Sequence, residues 1–178
     1  MVGTEEEKIS PSKKGTLMHL CLKNLNFSKN YEMHDIEELI EELETKKIIT
    51  KKEAEAINKN QILNFTNSKI FNELKNAIEY HKEEPFYINI PAQDVMEVKC
   101  NTNILVQGII DLYYIDKDDK LVLLDYKTDF IHPNEEHVLI DRHKKQLLLY
   151  KEALEGALNK KVDKIYIYST TLGKEIEI

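Results

Sequence analysis

ILVQGIIDLYYIDKDDKLVLLDYKTD, residues 104–129, is the stretch that decides the fold. Two runs rich in aliphatic and aromatic residues, 104–115 and 121–126, flank the polar knot 116–120, Asp-Lys-Asp-Asp-Lys. That composition between β-prone runs signals a turn, so the stretch reads as a β-hairpin. A turn centred on Asp118 pairs Asp116 with Lys120 and Tyr114 with Val122, and sets Asp111 opposite Asp125. Directly opposed side chains have Cβ atoms about 4.5–5.5 Å apart. Two carboxylates therefore meet within an apolar ladder. Strand side chains alternate with period two, which places Lys127 and Asp129 on the face of Asp125. Gly108, just before Asp111, allows a close backbone approach or a bulge.

Such a meeting is unfavourable unless something offsets it. Two unit charges ~5 Å apart at an effective dielectric of ~20 repel by roughly 3 kcal/mol. A divalent cation between them reverses the sign, and hard carboxylate oxygens suit Mg²⁺, with Mn²⁺ as a substitute. Lys127, two residues beyond the second carboxylate, can then aim its ammonium at the scissile phosphate or the attacking water. An Asp, then a distant Asp-x-Lys on a paired strand, is a pattern for metal-dependent phosphodiester hydrolysis. The competing reading is a surface hairpin with solvated acidic residues. It is disfavoured by the apolar neighbours Val122, Leu123 and Leu124.

Composition narrows the class. The chain has 178 residues, 42% hydrophobic and 32% charged, which fits one globular domain with a substantial core. No run approaches the ~20 apolar residues of a membrane span, and the N-terminus lacks a signal-peptide core, so a cytoplasmic protein is expected. The two cysteines, Cys21 and Cys100, lack CxxC spacing and form no zinc site by themselves. The net charge of −7 argues against a free-standing DNA-binding protein, though not against a nuclease to which a larger assembly delivers DNA.

QGIID at 107–111, LDYKTD at 124–129 and QLLLY at 146–150 together resemble the RecB-type nuclease domains of the PD-(D/E)xK superfamily. Within these, the chain is similar to the C-terminal nuclease domain of AddA-type bacterial helicase–nuclease subunits, over residues 15–173. The resemblance implies a restriction-endonuclease-like core, with Asp111, Asp125 and Lys127 as the central motif residues. GTLMH at 15–19 resembles the family's first motif and makes His19 a metal ligand, with the Tyr126 carbonyl also at the cation. Gln146 and Tyr150, one helical turn apart, would lie beside the metal, with Arg142 a further turn back. KEEPF at 82–86 resembles the family's R-E-x-P-F stretch, with Lys82 where Arg is usual. Glu83 is then either an exposed strand-entry carboxylate or a polar residue at the edge of the site.

Some members carry a four-cysteine iron–sulfur cluster; two cysteines cannot supply it, so none is expected. The implied partners are a DNA strand, a helicase portion of the same polypeptide and an AddB-like second subunit. No GxxxxGK[ST] phosphate loop occurs, so the sequence reads as an excised domain behind a polar leader at 1–14.

The remaining elements follow from periodicity. A helix is expected over residues 15–27, opened by Thr16 as cap. Residues 31–80 read as helical: Thr50 and Glu53 form a capping box, and Ser68 caps a helix reaching Tyr80. This block resembles the family's lid. Phe86, Ile88 and Ile90 alternate with polar positions as a strand, and Val95, Met96 and Val98 suggest another. A crossover helix at 135–158 carries an apolar stripe of Ile140, Leu147, Tyr150, Leu154 and Leu158. A last strand at 162–169 would pair parallel, leaving 175–178 as a tail. The expected architecture is α/β: a helical part at 15–80, then a mixed sheet flanked by helices at 81–173. Two other classes stay open: an inactive nuclease fold kept for binding DNA, and a phosphohydrolase of small nucleotides.

Overall fold

The computed structural model describes residues 8–95 and 102–178. Five strands form one mixed sheet in the order β1 (Glu79–Pro91), β2 (Asn103–Ile115), β3 (Leu121–Lys127), β4 (Val162–Ser169) and β5 (Lys174–Glu177). Neighbours are antiparallel except β3 and β4, which are parallel and joined by the crossover helix α7 (Glu136–Leu158). The β2–β3 hairpin takes the expected register, Tyr114 opposite Val122. Its turn is closed by Asp116, whose N–H donates to the Lys120 carbonyl and whose carboxylate accepts from the N–H groups of Asp118 and Lys120.

Two apolar cores sandwich the sheet. On one side, helices α1 (Pro11–Asn24), α2 (Met33–Thr45), α3 (Lys51–Ala56), α4 (Lys59–Thr66) and α5 (Lys69–Lys75) pack on Leu112, Tyr114, Val122, Leu124, Tyr126 and Tyr168. Phe65 is the hub, its ring 5.2 Å from that of Tyr126 and 4.8 Å from that of Tyr168. On the other side, α7 lays Leu139, Leu147, Tyr150, Ala153 and Leu154 against Tyr113, Leu121, Leu123, Ile165 and Ile167. Leu158, expected in that stripe, is instead exposed at the helix end, and Ile140 is half-buried.

Several boundaries differ from expectation for local reasons. Helix α1 starts at Pro11, four residues before Gly15, so part of the expected leader is helical. Ser10 caps it, accepting from the Lys13 N–H, and Pro11 occupies the first turn, where its missing N–H costs nothing. Thr16 is thus inside the helix, its hydroxyl donating to the Ser12 carbonyl. The helix capped by Ser68 stops at Lys75, because by Ile78 the backbone already donates to the Ile115 carbonyl, at 2.8 Å. Residues 174–177 form a fifth strand rather than a tail, since their alternation buries Ile176 beside Ile167. Beyond β1 the chain forms a short helix, α6 (Ala92–Val95); the strand expected around Met96 and Val98 lies outside the described residues. The capping box of Thr50 and Glu53 forms as expected.

Candidate active site

The site forms where the hairpin ladder ends. The last β2–β3 rung is Leu112 opposite Leu124, so Asp111 and Asp125 stand just past it in the same register. Asp111 Oδ2 accepts the Tyr126 N–H at 2.8 Å, taking the place of a strand carbonyl. Its other oxygen lies 3.4 Å from His19 Nδ1, presented by α1. On the opposite edge of β2, Lys82 pairs with Leu112 and Glu84 with Ile110, while Glu83 between them drops out of the ladder with φ +52°. That left-handed conformation costs a residue with a side chain about 1–2 kcal/mol. Non-glycine backbone of this kind concentrates at functional sites. Here it accompanies a convergence: His19, Glu83 and Asp111 each offer one ligand atom, all within 4.8 Å of one another. The sheet also changes face at this point. Ile110 is buried in the α7-side core, and Leu112, two residues on, in the opposite one.

Asp125 stands behind this trio, 2% exposed. Lys127 Nζ lies 2.6 Å from its Oδ2, a close and buried ion pair. The ammonium is held from its other side by α7: it donates to Gln146 Oε1 at 3.0 Å, and Gln146 Nε2 donates to the Tyr150 hydroxyl at 2.6 Å. Tyr150 in turn packs edge-on against Phe86 of β1, at 5.2 Å. Just beyond β3, Asp129 pairs with Arg142 and, at 3.2 Å, with His143 Nε2.

The electrostatics reflect crowded negative charge. Burial, then the charge of Asp111, raise the Asp125 pKa, and Lys127 only partly opposes them. The two carboxylates therefore act on each other. Burial disfavours a charged His19, but the hydrogen bond and charge of Asp111 outweigh it and leave the imidazole pKa raised. Burial, with the charges of Asp125 and Asp111, pushes the Tyr150 phenol up to about 12. It therefore stays protonated. Three carboxylates and one imidazole against a single ammonium are a donor set that fits a hard divalent cation.

Of the residues singled out from sequence, His19 and Asp111 fall in the trio. Asp125 and Lys127 form the ion pair behind it, and Gln146 and Tyr150 the chain that anchors Lys127. Tyr126 is buried on the lid side and gives its N–H to Asp111. Arg142 pairs with Asp129, away from the trio. Glu83 is the residue that sequence left undecided. Its hairpin partner position is that of Asp111, but the backbone twist that turns it to the site is not written in a glutamate.

The sequence profile of the PD-(D/E)XK nuclease superfamily matches residues 2–175, and the chain belongs to that superfamily. Among curated relatives, an ATP-dependent helicase/nuclease subunit of Clostridium novyi (strain NT) is 34% identical over 98% of the chain. Its counterpart in Clostridium botulinum (strain Hall) is 35% identical over the same share. The chain spans 14% of the length of each of these relatives. Among the described residues, no helix is long and apolar enough to cross a membrane.

Proposed function

We propose that the chain is a metal-dependent DNA nuclease, cutting phosphodiester bonds of a DNA strand during double-strand-break end processing and recombinational repair in the cytoplasm. The relatives are helicase/nuclease subunits many times longer. On this reading the rest of such a polypeptide is the motor that feeds DNA in, and an AddB-like subunit completes the assembly. One observation carries the reading: His19, Glu83 and Asp111 converge in front of the buried pair Asp125–Lys127.

The assigned cation is Mg²⁺, with Mn²⁺ as substitute. Asp111, Asp125, His19 and the Tyr126 carbonyl would hold it, joined by Glu83. A divalent cation supplies Lewis acidity, making water more acidic and offsetting charge on the attacked phosphate. The chain's own groups do the rest. Lys127 places a positive charge where negative charge builds on the phosphate oxygens. Gln146, tied to Tyr150, fixes that ammonium from the side away from Asp125. Asp111 holds β2 to β3 while keeping one oxygen turned to His19 and the opening.

The test is release of acid-soluble nucleotides from single-stranded DNA, with and without Mg²⁺, by the wild type and Asp125→Ala. Mg²⁺-dependent release that falls to background in the folded variant is expected. Wild-type cutting by Asp125→Ala would overturn the reading.

A further inference from the structure

Beyond Asp111 the β1–β2 pair continues as a two-stranded ribbon without β3 beside it. Its side chains alternate cleanly. Phe86, Ile88 and Val106 pack toward the α7-side core. The other face, formed by Pro85, Tyr87, Asn89, Leu105, Gln107 and Ile109, is exposed throughout. It carries no charge, in a chain where 32% of residues are charged. Tyr87 is 68% exposed, Leu105 62% and Ile109 51%. Scattered exposed apolar residues need no explanation, but Tyr87, Leu105 and Ile109 are gathered on one uncharged face, with Gln107 and Asn89 as its polar members, and such gathering usually marks an interaction site.

Its position identifies the occupant. Ile109 lines the same opening as His19, Glu83 and Asp111, a space of about 470 Å³. The opposite wall of that opening is α1, which contributes Ser12 and Thr16. A strand with one phosphate at the trio would have the Ser12 hydroxyl on its backbone side and an uncharged aromatic and aliphatic surface along its base side. Phosphate contacts come typically from hydroxyl and basic groups, whereas bases stack on aromatic side chains of sheets. In a duplex the bases are paired inside and cannot lie on such a face.

We propose that the outer face of the β1–β2 ribbon is a base platform for unpaired DNA, with Tyr87 as the stacking residue and Leu105 and Ile109 flanking it. The platform seats the bases of a strand whose phosphate lies at the trio, and it rests on the nuclease reading above. Stacking is worth about 1–3 kcal/mol per base, so Tyr87→Ala should raise KM for a single strand roughly 5- to 150-fold.

The chain contains no tryptophan, so Tyr87→Trp installs a sole fluorophore on the platform. Ile48→Trp, exposed on the turn after α2, is the remote control. A short oligothymidylate, added without divalent metal, is expected to quench the indole emission of the Tyr87→Trp variant and leave that of Ile48→Trp unchanged. If the wild type cuts DNA in an Asp125-dependent manner, yet the Tyr87→Trp variant is not quenched and Tyr87→Ala leaves KM unchanged, the platform is refuted and the nuclease stands. Quenching of the Tyr87→Trp variant without any cutting by the wild type would keep the platform as a binding surface and remove the nuclease reading. Neither quenching nor cutting would remove both.

Discussion

Gly108→Ala is the substitution whose outcome the geometry determines most sharply. Gly108 faces Phe86 across the β1–β2 ladder. A Cβ there would sit 2.7 Å from Phe86 Cε1, closer than real Cβ atoms approach, and a tight 3.0 Å from Cζ. The ring cannot simply retreat, because it is buried and packed edge-on against Tyr150. Overpacking of this kind costs about 1–3 kcal/mol. Removing a glycine from the unfolded chain returns about 0.4–1 kcal/mol. The net expectation is a loss of about 1–2 kcal/mol, or roughly 2–8 °C in Tm for a domain of this size. Urea and thermal denaturation measure it. The same displacement pushes Tyr150, then Gln146, then Lys127, so turnover should fall as well. Phe86→Leu, which removes the clashing edge, should recover most of the stability in the double variant. A Gly108→Ala chain as stable as the wild type would refute the reasoning. So would a double variant in which the two costs simply add.

Gln146→Leu removes the Lys127 and Tyr150 hydrogen bonds while leaving the Asp125 ion pair, so kcat in the nuclease assay should drop with a Tm change of only a few degrees; an unchanged kcat counts against the anchoring role. Burial opposes ionisation of Asp116, but the N–H groups of Lys120 and Asp118 outweigh it and hold the carboxyl below its usual value. Its stabilising contribution is therefore present above the unfolded carboxyl pKa and lost as pH falls through the lower folded value. Asp116→Ala should cost about 1–3 kcal/mol at neutral pH, and the gap to wild type should close on acidification in denaturation curves. Burial pushes the Cys21 thiol up to about 12, so in the folded chain it should resist alkylation by iodoacetamide at mildly alkaline pH, as read from its peptide by mass spectrometry.

The parts of the fold that could be read in advance are those where one short-range rule acts alone. The 116–120 knot fixed the hairpin register because turn chemistry and alternation agree there. The Thr50–Glu53 box and the crossover helix were legible for the same reason. Where two signals compete, the weaker is easy to overvalue: Gly15–Thr16 reads as a helix start, although Ser10–Pro11 upstream supplies both cap and fixed φ. The end of α5 depends on a partner distant in sequence, Ile115, which no local window contains, whereas β5 folds back on β4 across a short turn whose pairing shows only in the buried alternation of Ile176. The site divides in the same way. Asp111, Asp125 and Lys127 sit on the hairpin and follow from its register. Glu83 depends on one left-handed residue that glutamate does not advertise, and Lys82 on a fold-level contact. Its ammonium donates to the Lys23 and Leu25 carbonyls at the end of α1 and lies 4.0 Å from the Phe27 ring centroid.

The candidate site draws on both layers that cover the sheet: His19 arrives with α1 from one side, and Gln146 with α7 from the other. Neither half carries a complete set of groups. On the proposed reading, a chain still emerging from synthesis, or one that has shed either layer, lacks groups the reaction would need. Assembly of the tertiary structure would then itself be the safety catch on the site.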